Sequence, residues 1–504
     1  MGSIQPPSSV STESVDVLVV GAGVSGINAG YRIQTELPHF TYKIVESRGA
    51  IGGTWDLFRY PGIRSDSDLH TFGFPWRLWA HSKSIVDGTS IRNYIRESAE
   101  EFGIDKKIEF KHKVLSSDWS SQEQNWNVIV DNEGTEKRYK ARFLLFSTGY
   151  YDYDTPLQTQ IPGLDNFQGQ RIHPQFWPED LDYTNKNVVI IGSGATAVTL
   201  LPNMTDKAAK VTMLQRSPTY IIPQPAKDPL GSIWHRTLPT WLSSRLTRWK
   251  FLILPLIFFH FCRTFPNAAR GAIRLVTKRQ LKGSHLPQDP HFQPTYNPWE
   301  QRLCVTPDAD FFQAIRAGKG TVVTDTIKLV KKDGIQTTAG TWIPADIIVT
   351  ATGLKVHLAG GSRIAVDGQP FSFYEQFQWR GALMSRLPNA AFVLGYTNAS
   401  WTLGADCTAL LFTRIMKYME AQGYASITPT LTPEDLEGPA ALKPSSPMNL
   451  NSTYLEKAKG LLPSAGDRGP WKVRKNYILD RWAAVHCDVT EGTVFRRGET
   501  KKVA

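Results

Sequence analysis

Two glycine-rich loops, each between an apolar strand and an amphipathic helix, limit most strongly what this 504-residue chain can fold into. The first loop, Gly21-Ala22-Gly23-Val24-Ser25-Gly26, follows the apolar run Val15–Val20. Gly21 allows a tight turn, Gly23 lets the backbone approach a pyrophosphate, and Gly26 lets the helix pack on the strand. The helix N-terminus then directs its free N–H groups at the phosphates. This pattern predicts a Rossmann-like dinucleotide-binding unit.

An acidic residue indicates which dinucleotide this unit binds. The next predicted strand, Tyr42–Val45, ends at Glu46. A carboxylate there accepts hydrogen bonds from ribose hydroxyls and disfavours a 2′-phosphate, which suits FAD or NAD. The following stretch is Gly52-Gly53-Thr54-Trp55. Its two glycines would let the backbone come close to a planar group, beside the hydroxyl of Thr54 and the large aromatic ring of Trp55. We expect Gly53, Thr54 and Trp55 to contact the same cofactor; the alternative is an ordinary surface turn.

The second loop carries the opposite charge at the ribose position. Gly192-Ser193-Gly194-Ala195-Thr196-Ala197 lies between the predicted strand Asn187–Ile191 and the predicted helix Val198–Met204. The next strand, Lys210–Leu214, is followed by Arg216, a cation where a 2′-phosphate would lie. A solvated surface arginine is the alternative interpretation of that residue. The pattern favours NADPH, and the residues expected to bind it are Gly192, Ser193, Gly194, Thr196, Arg216 and Ser217.

Two such units predict an α/β chain with two Rossmann-like domains, one for FAD and one for NADPH, plus a helical segment. The apolar strands Phe143–Gly149 and Asp346–Gly353 both end in Thr-Gly, and we interpret them as crossings between the domains. The predicted organisation is a flexible leader at 1–14, an FAD-binding domain at 15–155 and 341–504, and an inserted NADPH-binding domain at 156–340 that includes a helical or lid segment at 229–288.

A twelve-residue stretch before the second loop carries a family resemblance. Phe167–Pro178 follows the pattern F-x-G-x-x-x-H-x-x-x-W-P, the fingerprint of Baeyer–Villiger monooxygenases. The chain resembles these class B flavoprotein monooxygenases over roughly residues 15 to 490. The resemblance implies that His173 belongs to a hinge between the domains. Further stretches are similar to the ethionamide-activating subgroup: Arg59–Leu69, His173–Tyr183, Trp299–Asp308 and Thr397–Asp406.

The resemblance implies a reaction and a pair of catalytic residues. NADPH would reduce FAD, and one atom of O2 would then be inserted beside a ketone carbonyl to give an ester or lactone; a thioether sulfur could also be oxidised. The family's catalytic cation is carried onto Arg302, and its partner carboxylate, which also contacts the cofactor, onto Asp66. A structural salt bridge is the alternative for this pair. Gln301 stands where many relatives have a lysine that contacts the NADPH phosphate, which assigns more of that role to Arg216.

The distribution of charge and the positions of the cysteines limit which binding partners and which cellular location are expected. The net charge is +11, and Pro229–Gln288 contains ten Lys or Arg and no Asp or Glu. Because one segment supplies nearly the whole excess, a nucleic-acid-binding surface spread over the protein is not expected. The four cysteines lie far apart without a CxxC motif, so we expect no metal site, free thiols and a cytoplasmic location.

Within that basic segment lies a strongly apolar stretch, Trp249–Cys262. It is too short to span a bilayer, and Pro255 is expected to break a helix there. Two interpretations remain open: a helical lid over the substrate pocket, and a peripheral patch at residues 249–262 that contacts an anionic membrane surface.

Other functions remain open. A flavin-containing N- or S-hydroxylating monooxygenase would share both loops, although the intact fingerprint disfavours it. A flavin reductase that passes electrons to a dithiol is disfavoured by the missing CxxC motif. A non-enzymatic dinucleotide-binding protein is disfavoured by the intact glycines together with Asp66 and Arg302.

Overall fold

The computed structural model describes residues 12–448, 458 and 460–498. The predicted leader, residues 1–14, lies outside this part of the chain except for its last three residues. Thr12 to Ser14 belong to the first strand, because their backbone pairs in parallel with residues 138–140. The prediction of a leader was therefore wrong for these three residues.

A large mixed sheet forms the first domain. Its strands are β1 (Thr12–Val20), β2 (Tyr42–Glu46), β3 (Ile108–Phe110), β4 (His112–Ser120), β5 (Asn125–Asn132), β6 (Thr135–Phe146), β17 (Arg363–Val366), β18 (Gln369–Pro370), β19 (Gln378–Trp379), β20 (Leu383–Met384) and β21 (Ala390–Phe392). The order is β18-β17-β4-β5-β6-β1-β2-β3, with β21 pairing β6, β20 pairing β21, and β19 pairing β20. β1 lies parallel to both β2 and β6.

Helices of the chain have the following bounds: α1 (Val24–Glu36), α2 (Thr54–Leu57), α3 (Leu69–Phe72), α4 (Gly88–Glu101), α5 (Ala195–Met204), α6 (Pro229–Thr237), α7 (Thr240–Thr264), α8 (Pro266–Gln280), α9 (Asp310–Arg316), α10 (Trp401–Gln422), α11 (Pro433–Leu436) and α12 (Tyr477–His486). α1, α4 and α10 share an apolar core with one face of the first sheet. Trp119, Trp126 and Tyr139 of the β4-β5-β6 meander fill the core on the other face. β1 is apolar on both sides because both of its faces are covered.

The second domain is built on a wholly parallel sheet of β7 (Gln170–Ile172), β8 (Asn187–Ile191), β9 (Lys210–Gln215), β12 (Gly320–Thr324) and β16 (Ile347–Thr350). Their order is β12-β9-β8-β16-β7, and α5 and α9 supply buried side chains to the same core. β16 lies between β8 and β7, so this domain extends past the boundary predicted at residue 340. The apolar strand predicted as a crossing is itself an inner strand of the second sheet.

Shorter strands complete the fold. β10 (Ile221–Gln224) pairs in parallel with β11 (Cys304–Pro307), and β13 (Ile327–Lys331), β14 (Gly334–Thr337) and β15 (Trp342–Pro344) form an antiparallel ribbon. β22 (Tyr424–Pro429) and β23 (Thr493–Arg497) close the C-terminal part.

The segment predicted to be helical, residues 229–288, contains α6, α7 and α8. α7 continues through Pro255, so the expected helix break does not occur. A proline removes one backbone donor, and this position faces solvent on an exposed helix, where the carbonyl left without its partner can bind water. Among the described residues no single helix is both long and apolar enough to cross a bilayer; α7 and α8 pass that test only together, and they are bent by 116°.

Candidate functional site

The first glycine loop forms a cradle in which two glycines cannot be replaced without a shift. Gly21 has φ +103°, and a Cβ on it would lie 2.8 Å from the carbonyl oxygen of Ser147. A Cβ on Gly26 would lie 1.9 Å from the carbonyl oxygen of Gly21. Gly23 is the N-cap of α1, which places the unbonded N–H groups of the first helical turn at the mouth of the loop. An anion at this point meets both the donors and the helix dipole.

Glu46 lies where the ribose of a bound dinucleotide is expected. It ends β2, beside the loop, and its carboxylate accepts the N–H of Ala22 at 2.7 Å and that of Arg48 at 2.9 Å. Burial raises its pKa, and the two backbone donors oppose that effect. The structure places Gly21, Gly23, Glu46 and Gly53 on the walls of one cleft. A pyrophosphate-binding loop beside a carboxylate fits the adenosine end of FAD.

The Gly53 segment closes the cleft from the other side. Gly53 has φ +55° and is the N-cap of the short helix α2. Gly23 and Gly53 approach each other so closely that a Cβ added to Gly23 would lie 3.5 Å from the Cα of Gly53. The Thr54 hydroxyl contacts the hydroxyl of Tyr151 and lies 3.2 Å from that of Tyr153. Sequence reasoning missed these two tyrosines, because they follow the first crossing and no motif marks them.

Trp55 takes a different position from the other predicted contacts. Its ring packs edge-on against Phe72, with centroids 5.6 Å apart, and it borders the core of the first domain. The aromatic wall predicted from the sequence is therefore at least partly engaged in packing.

The second glycine loop is open where the first is closed. Gly192 has φ +143°, and a Cβ on it would lie 2.2 Å from the carbonyl oxygen of Ala351. A Cβ on Gly194, the N-cap of α5, would meet no atom within 4 Å. Ala197, the third position of the motif, is buried, so its methyl group takes the place of the third glycine. The loop, in which Gly194 is exposed and Ser193 and Thr196 are half-buried, therefore has room for a phosphate.

Tyr60 joins the first domain to the second nucleotide loop, and no sequence argument singled it out. This tyrosine comes from the first domain but is buried in the core of the second, where its hydroxyl interacts with Thr196 of the second loop. Burial raises the pKa of Tyr60 to about 12, so its hydroxyl remains protonated at neutral pH. The R-Y-P-G stretch that contains it was noted only for its family likeness.

Arg216 and Ser217 lie at the end of β9. β8 and β9 are parallel neighbours with Ile191 opposite Leu214, so the residues that follow the two strands lie side by side. Both Arg216 and Ser217 are exposed. The structure thus places an exposed guanidinium next to the second glycine loop, as an NADPH 2′-phosphate requires.

Arg302 and Asp66 meet across the two domains although 236 residues separate them. The Nη2 of Arg302 lies 2.8 Å from Oδ1 of Asp66 and 3.4 Å from Oγ of Ser67. Asp66 lies on the loop before α3, and Arg302 lies just before β11. Arg64, on the same loop, forms a second ion pair with Asp310. A planar, permanently charged guanidinium is thus held against a carboxylate at the domain boundary.

The crossings between the domains lie beside each other. The N–H of Asp152 donates to the carbonyl of Lys355 at 2.8 Å, and the N–H of His357 donates to that of Tyr150 at 3.0 Å. The Lys355 ammonium also lies 2.8 Å from the Asp152 carboxylate. Burial alone would raise the pKa of Asp152, but hydrogen bonds from Lys355 and Thr155 outweigh it and hold the pKa well below its usual range.

The fingerprint stretch contacts this crossing. The side-chain amide of Gln175 donates to the carbonyl oxygen of Asp152 at 2.7 Å, and Nδ1 of His173 accepts the N–H of Gln175 at 3.3 Å. Burial lowers the pKa of His173, so its ring is largely neutral near pH 7. Both residues are thus built into the connection between the domains.

Known proteins resemble this chain over nearly its whole length. The flavin-binding monooxygenase-like family matches residues 72–249, and an NAD(P)-binding Rossmann-like domain matches residues 19–84. The FAD-containing monooxygenase EthA of Mycolicibacterium smegmatis is 45% identical over 93% of this chain and 94% of its own length. The probable FAD-binding monooxygenase AlmA of Acinetobacter baylyi is 40% identical over 97% and 99%.

Solved structures show the same fold. Oxidised steroid monooxygenase bound to NADP has a TM-score of 0.73 at 21% identity, covering 96% of this chain and 100% of its own. Cyclohexanone monooxygenase from Rhodococcus sp. Phi1 bound to NADP⁺ has a TM-score of 0.71 at 19% identity, covering 97% and 100%. The α/β fold with two dinucleotide-binding domains is confirmed. The chain therefore belongs to the flavin-binding monooxygenases, and FAD and NADPH are its cofactors.

Proposed function

We propose that this monooxygenase carries out Baeyer–Villiger oxidation. A ketone, O2, NADPH and a proton would give an ester or lactone, NADP⁺ and water, and a thioether could accept the oxygen atom instead. Bound FAD supplies the two-electron chemistry that accepts hydride from NADPH and activates O2. The observation that supports the proposal most strongly is the Arg302–Asp66 pair, which joins the second domain to a loop of the first at 2.8 Å.

In this proposal Arg302 is the catalytic cation. Oxygen insertion beside a carbonyl develops negative charge on oxygen, and a guanidinium held in place stabilises that charge without reorganising. Asp66 keeps the guanidinium oriented and accepts its N–H at 2.8 Å. A lysine at this position would supply a compact ammonium charge, whereas the arginine guanidinium is planar and donates several hydrogen bonds in a fixed geometry. The identity of this side chain therefore matters as well as its charge.

The two glycine loops would hold the cofactors at opposite sides of the boundary. We assign FAD binding to Gly21, Gly23, Gly26, Glu46, Gly53, Thr54, Trp55 and Asp66, and NADPH binding to Gly192, Ser193, Gly194, Thr196, Arg216 and Ser217. The Tyr60–Thr196 contact supports a site in which both nucleotides approach the same domain boundary.

The fingerprint would serve the connection between the domains. His173 and Gln175 lie beside Asp152 at the crossing, and the lowered pKa of His173 argues against a charged acid. We therefore assign His173 a positioning role. A requirement for NADPH, together with the free thiols Cys262, Cys304, Cys407 and Cys487, favours the cytoplasm as the site of action.

The experiment is product analysis with purified, FAD-loaded protein, NADPH and a panel of linear, cyclic and aryl ketones plus one thioether. We expect an ester or lactone from at least one ketone, formed only when NADPH and O2 are both present. A sulfoxide without an ester from any ketone would contradict the proposal and favour an S-hydroxylating enzyme. An FAD-free protein that does not oxidise NADPH would favour a non-enzymatic role.

A further inference from the structure

The first half of helix α7 turns polar side chains inward, and large apolar side chains are exposed along the whole helix. Ser243, Ser244, Thr247 and Arg248 are buried. At every fourth position from Trp241 the side chain is exposed, in a stripe that winds around α7 because four residues are slightly more than one helical turn, and all but one of these side chains are large and apolar: Trp241, Arg245, Trp249, Ile253, Ile257, Phe261 and the adjoining Phe265. A surface helix of a water-facing domain normally shows the reverse arrangement.

Contacts with the rest of the protein fix this orientation. Nη1 of Arg248 donates to the carbonyl oxygens of His70 at 2.7 Å and Gly73 at 2.9 Å. Lys250 pairs with the buried Asp228 on the same inner side. A rotation of α7 that buried its exposed apolar side chains would take these donors away from the carbonyl oxygens of His70 and Gly73 and from the buried Asp228.

The neighbouring helices extend the exposed apolar surface. On α6, Leu230 and Ile233 are exposed, and on α8 so are Leu275 and Val276. α7 and α8 are bent by 116° at Phe265, which is 58% exposed at the corner. We call these exposed side chains of α6, α7 and α8 the α7 face. So many large apolar side chains exposed on neighbouring helices of a folded protein mark an interaction site.

Charge indicates what covers the α7 face. The segment Pro229–Gln288 has ten basic residues and no acidic one. Seven of these cations are exposed, and one of them, Arg274, pairs with Asp289: Arg236, Arg245, Arg263, Arg274, Lys278, Arg279 and Lys282. Exposed tryptophan and aliphatic side chains on helices that also carry exposed cations match the boundary between acyl chains and anionic headgroups.

The same charges argue against a second copy of the chain as the occupant. A two-fold dimer through the α7 face would place this surface against itself. Cations would then meet cations, because the two carboxylates that flank the segment, Asp228 and Asp289, already pair with Lys250 and Arg274 of the same chain.

We propose that the α7 face docks on an anionic membrane surface, with α7 lying in the interface and not across the bilayer. This goes beyond the oxygenation reaction. Phe259, toward the inner side of α7, packs against Trp299 with centroids 5.5 Å apart, three residues before Arg302. The helix that contacts lipid would thus border the loop that carries Arg302.

The test is flotation of the full-length, FAD-loaded protein with vesicles of phosphatidylcholine and phosphatidylglycerol. We expect the protein to float with these vesicles, about tenfold less at 1 M than at 0.1 M salt, and far less with phosphatidylcholine alone. The double variant Trp249→Asp/Ile257→Asp should bind at least about tenfold more weakly, because two charges enter the apolar stripe.

Trp342→Asp is the matched control, since Trp342 is an exposed tryptophan on the β13–β15 ribbon of the second domain. It should float like the native protein, and all variants should retain FAD absorbance and oxidise NADPH. Equal recovery with and without vesicles, equal binding to uncharged vesicles, or native binding by the double variant would overturn the proposal. So would a native dimer that the double variant dissociates, because the occupant would then be a second copy.

Discussion

Arg302 and Asp66 come from opposite parts of the chain, yet their side chains meet at 2.8 Å. The carboxylate is less exposed than the guanidinium, at 21% against 44%. A guanidinium that a carboxylate orients and that is partly exposed to solvent can act on a ligand. This arrangement is why the proposed chemistry is assigned to Arg302 and not to a histidine.

Replacing Arg302 with alanine should separate flavin reduction from oxygenation. We expect reduction of the bound flavin by NADPH to stay within about threefold of native, while ester formation falls by about 10² to 10³, as for loss of one stabilising group in an active site. Anaerobic flavin bleaching and chromatography of the product measure the two steps. Arg302→Lys should recover part of the activity. Native ester formation by Arg302→Ala would remove this residue from the mechanism.

Replacing Arg216 with glutamine should change the preference between NADPH and NADH. Loss of a charged hydrogen bond to a 2′-phosphate is expected to raise KM for NADPH by about tenfold and to leave that for NADH unchanged. Initial rates with both nucleotides test this. Arg171→Gln, at another exposed arginine of the second sheet, should change neither value. An equal change for both nucleotides would show that Arg216 does not contact the phosphate.

At the scale of single residues, the sequence predicts those positions at which the backbone conformation itself requires a glycine. Gly21 and Gly192 have positive φ values and would clash with a carbonyl oxygen if they carried a side chain, so their motif marks them reliably. Tyr60 and Tyr151 were missed because their contacts with Thr196 and Thr54 depend on how distant segments fold together. No local pattern carries that information.

At the scale of elements, a glycine-to-alanine substitution should lower stability in the first loop–helix unit and leave stability unchanged in the second. Gly26→Ala places a Cβ 1.9 Å from a backbone oxygen, so α1 must shift; we expect a loss of about 1–3 kcal/mol of stability together with loss of FAD. A Cβ added at Gly194 meets no atom within 4 Å, so Gly194→Ala should leave the melting temperature unchanged while it raises KM for NADPH. Thermal unfolding and FAD content separate these outcomes. Equal destabilisation by both would contradict the geometry.

Glu109 on β3 should make the edge of the first sheet sensitive to acid. Burial alone would raise its pKa, but hydrogen bonds from Lys137, Lys43 and Tyr139 outweigh it and lower the pKa to about 2 from 4.5. A lowered carboxyl pKa contributes stability above about pH 4.5 that is lost as the pH falls toward 2.

Glu109→Gln should therefore cost about 1–2 kcal/mol at pH 7, a figure reduced for solvent screening. The difference from native should shrink as the pH falls below about 4.5. Urea unfolding across this range measures it, with Glu133→Gln at an exposed ion pair as the control. A difference that grows in acid would contradict the assignment.

Buried parallel strands were the elements best predicted. β8 has the predicted bounds, Asn187–Ile191, because a strand covered on both faces is a continuous apolar run. The prediction failed at Pro255, where α7 continues. That stretch was interpreted by a rule for helix interiors, whereas one side of α7 faces outward.

At the scale of the whole molecule, the chain passes between the two domains twice, and the two connecting segments lie side by side. The backbone bonds between residues 150–152 and 355–357, with the Asp152–Lys355 ion pair, tie the two connections together. The sequence indicated that the chain crosses twice. It could not show that β16 belongs inside the second sheet, because a domain boundary depends on which strands pair.

This arrangement places Arg302 at the domain boundary with one nucleotide loop in each domain. The α7 face lies outside that boundary, on helices whose inner side is anchored to the first domain. Substitutions among the exposed side chains of the α7 face should therefore leave cofactor binding unchanged.

Oxygen transfer from ¹⁸O2 tests the central claim most directly. Purified protein with FAD, NADPH and a ketone that it accepts should give an ester that carries one ¹⁸O atom in its new C–O bond, with one NADPH consumed per ester. Mass spectrometry of the product and NADPH absorbance supply both numbers. An ester labelled from water, or NADPH consumption that yields only hydrogen peroxide with every ketone tested, would contradict the account.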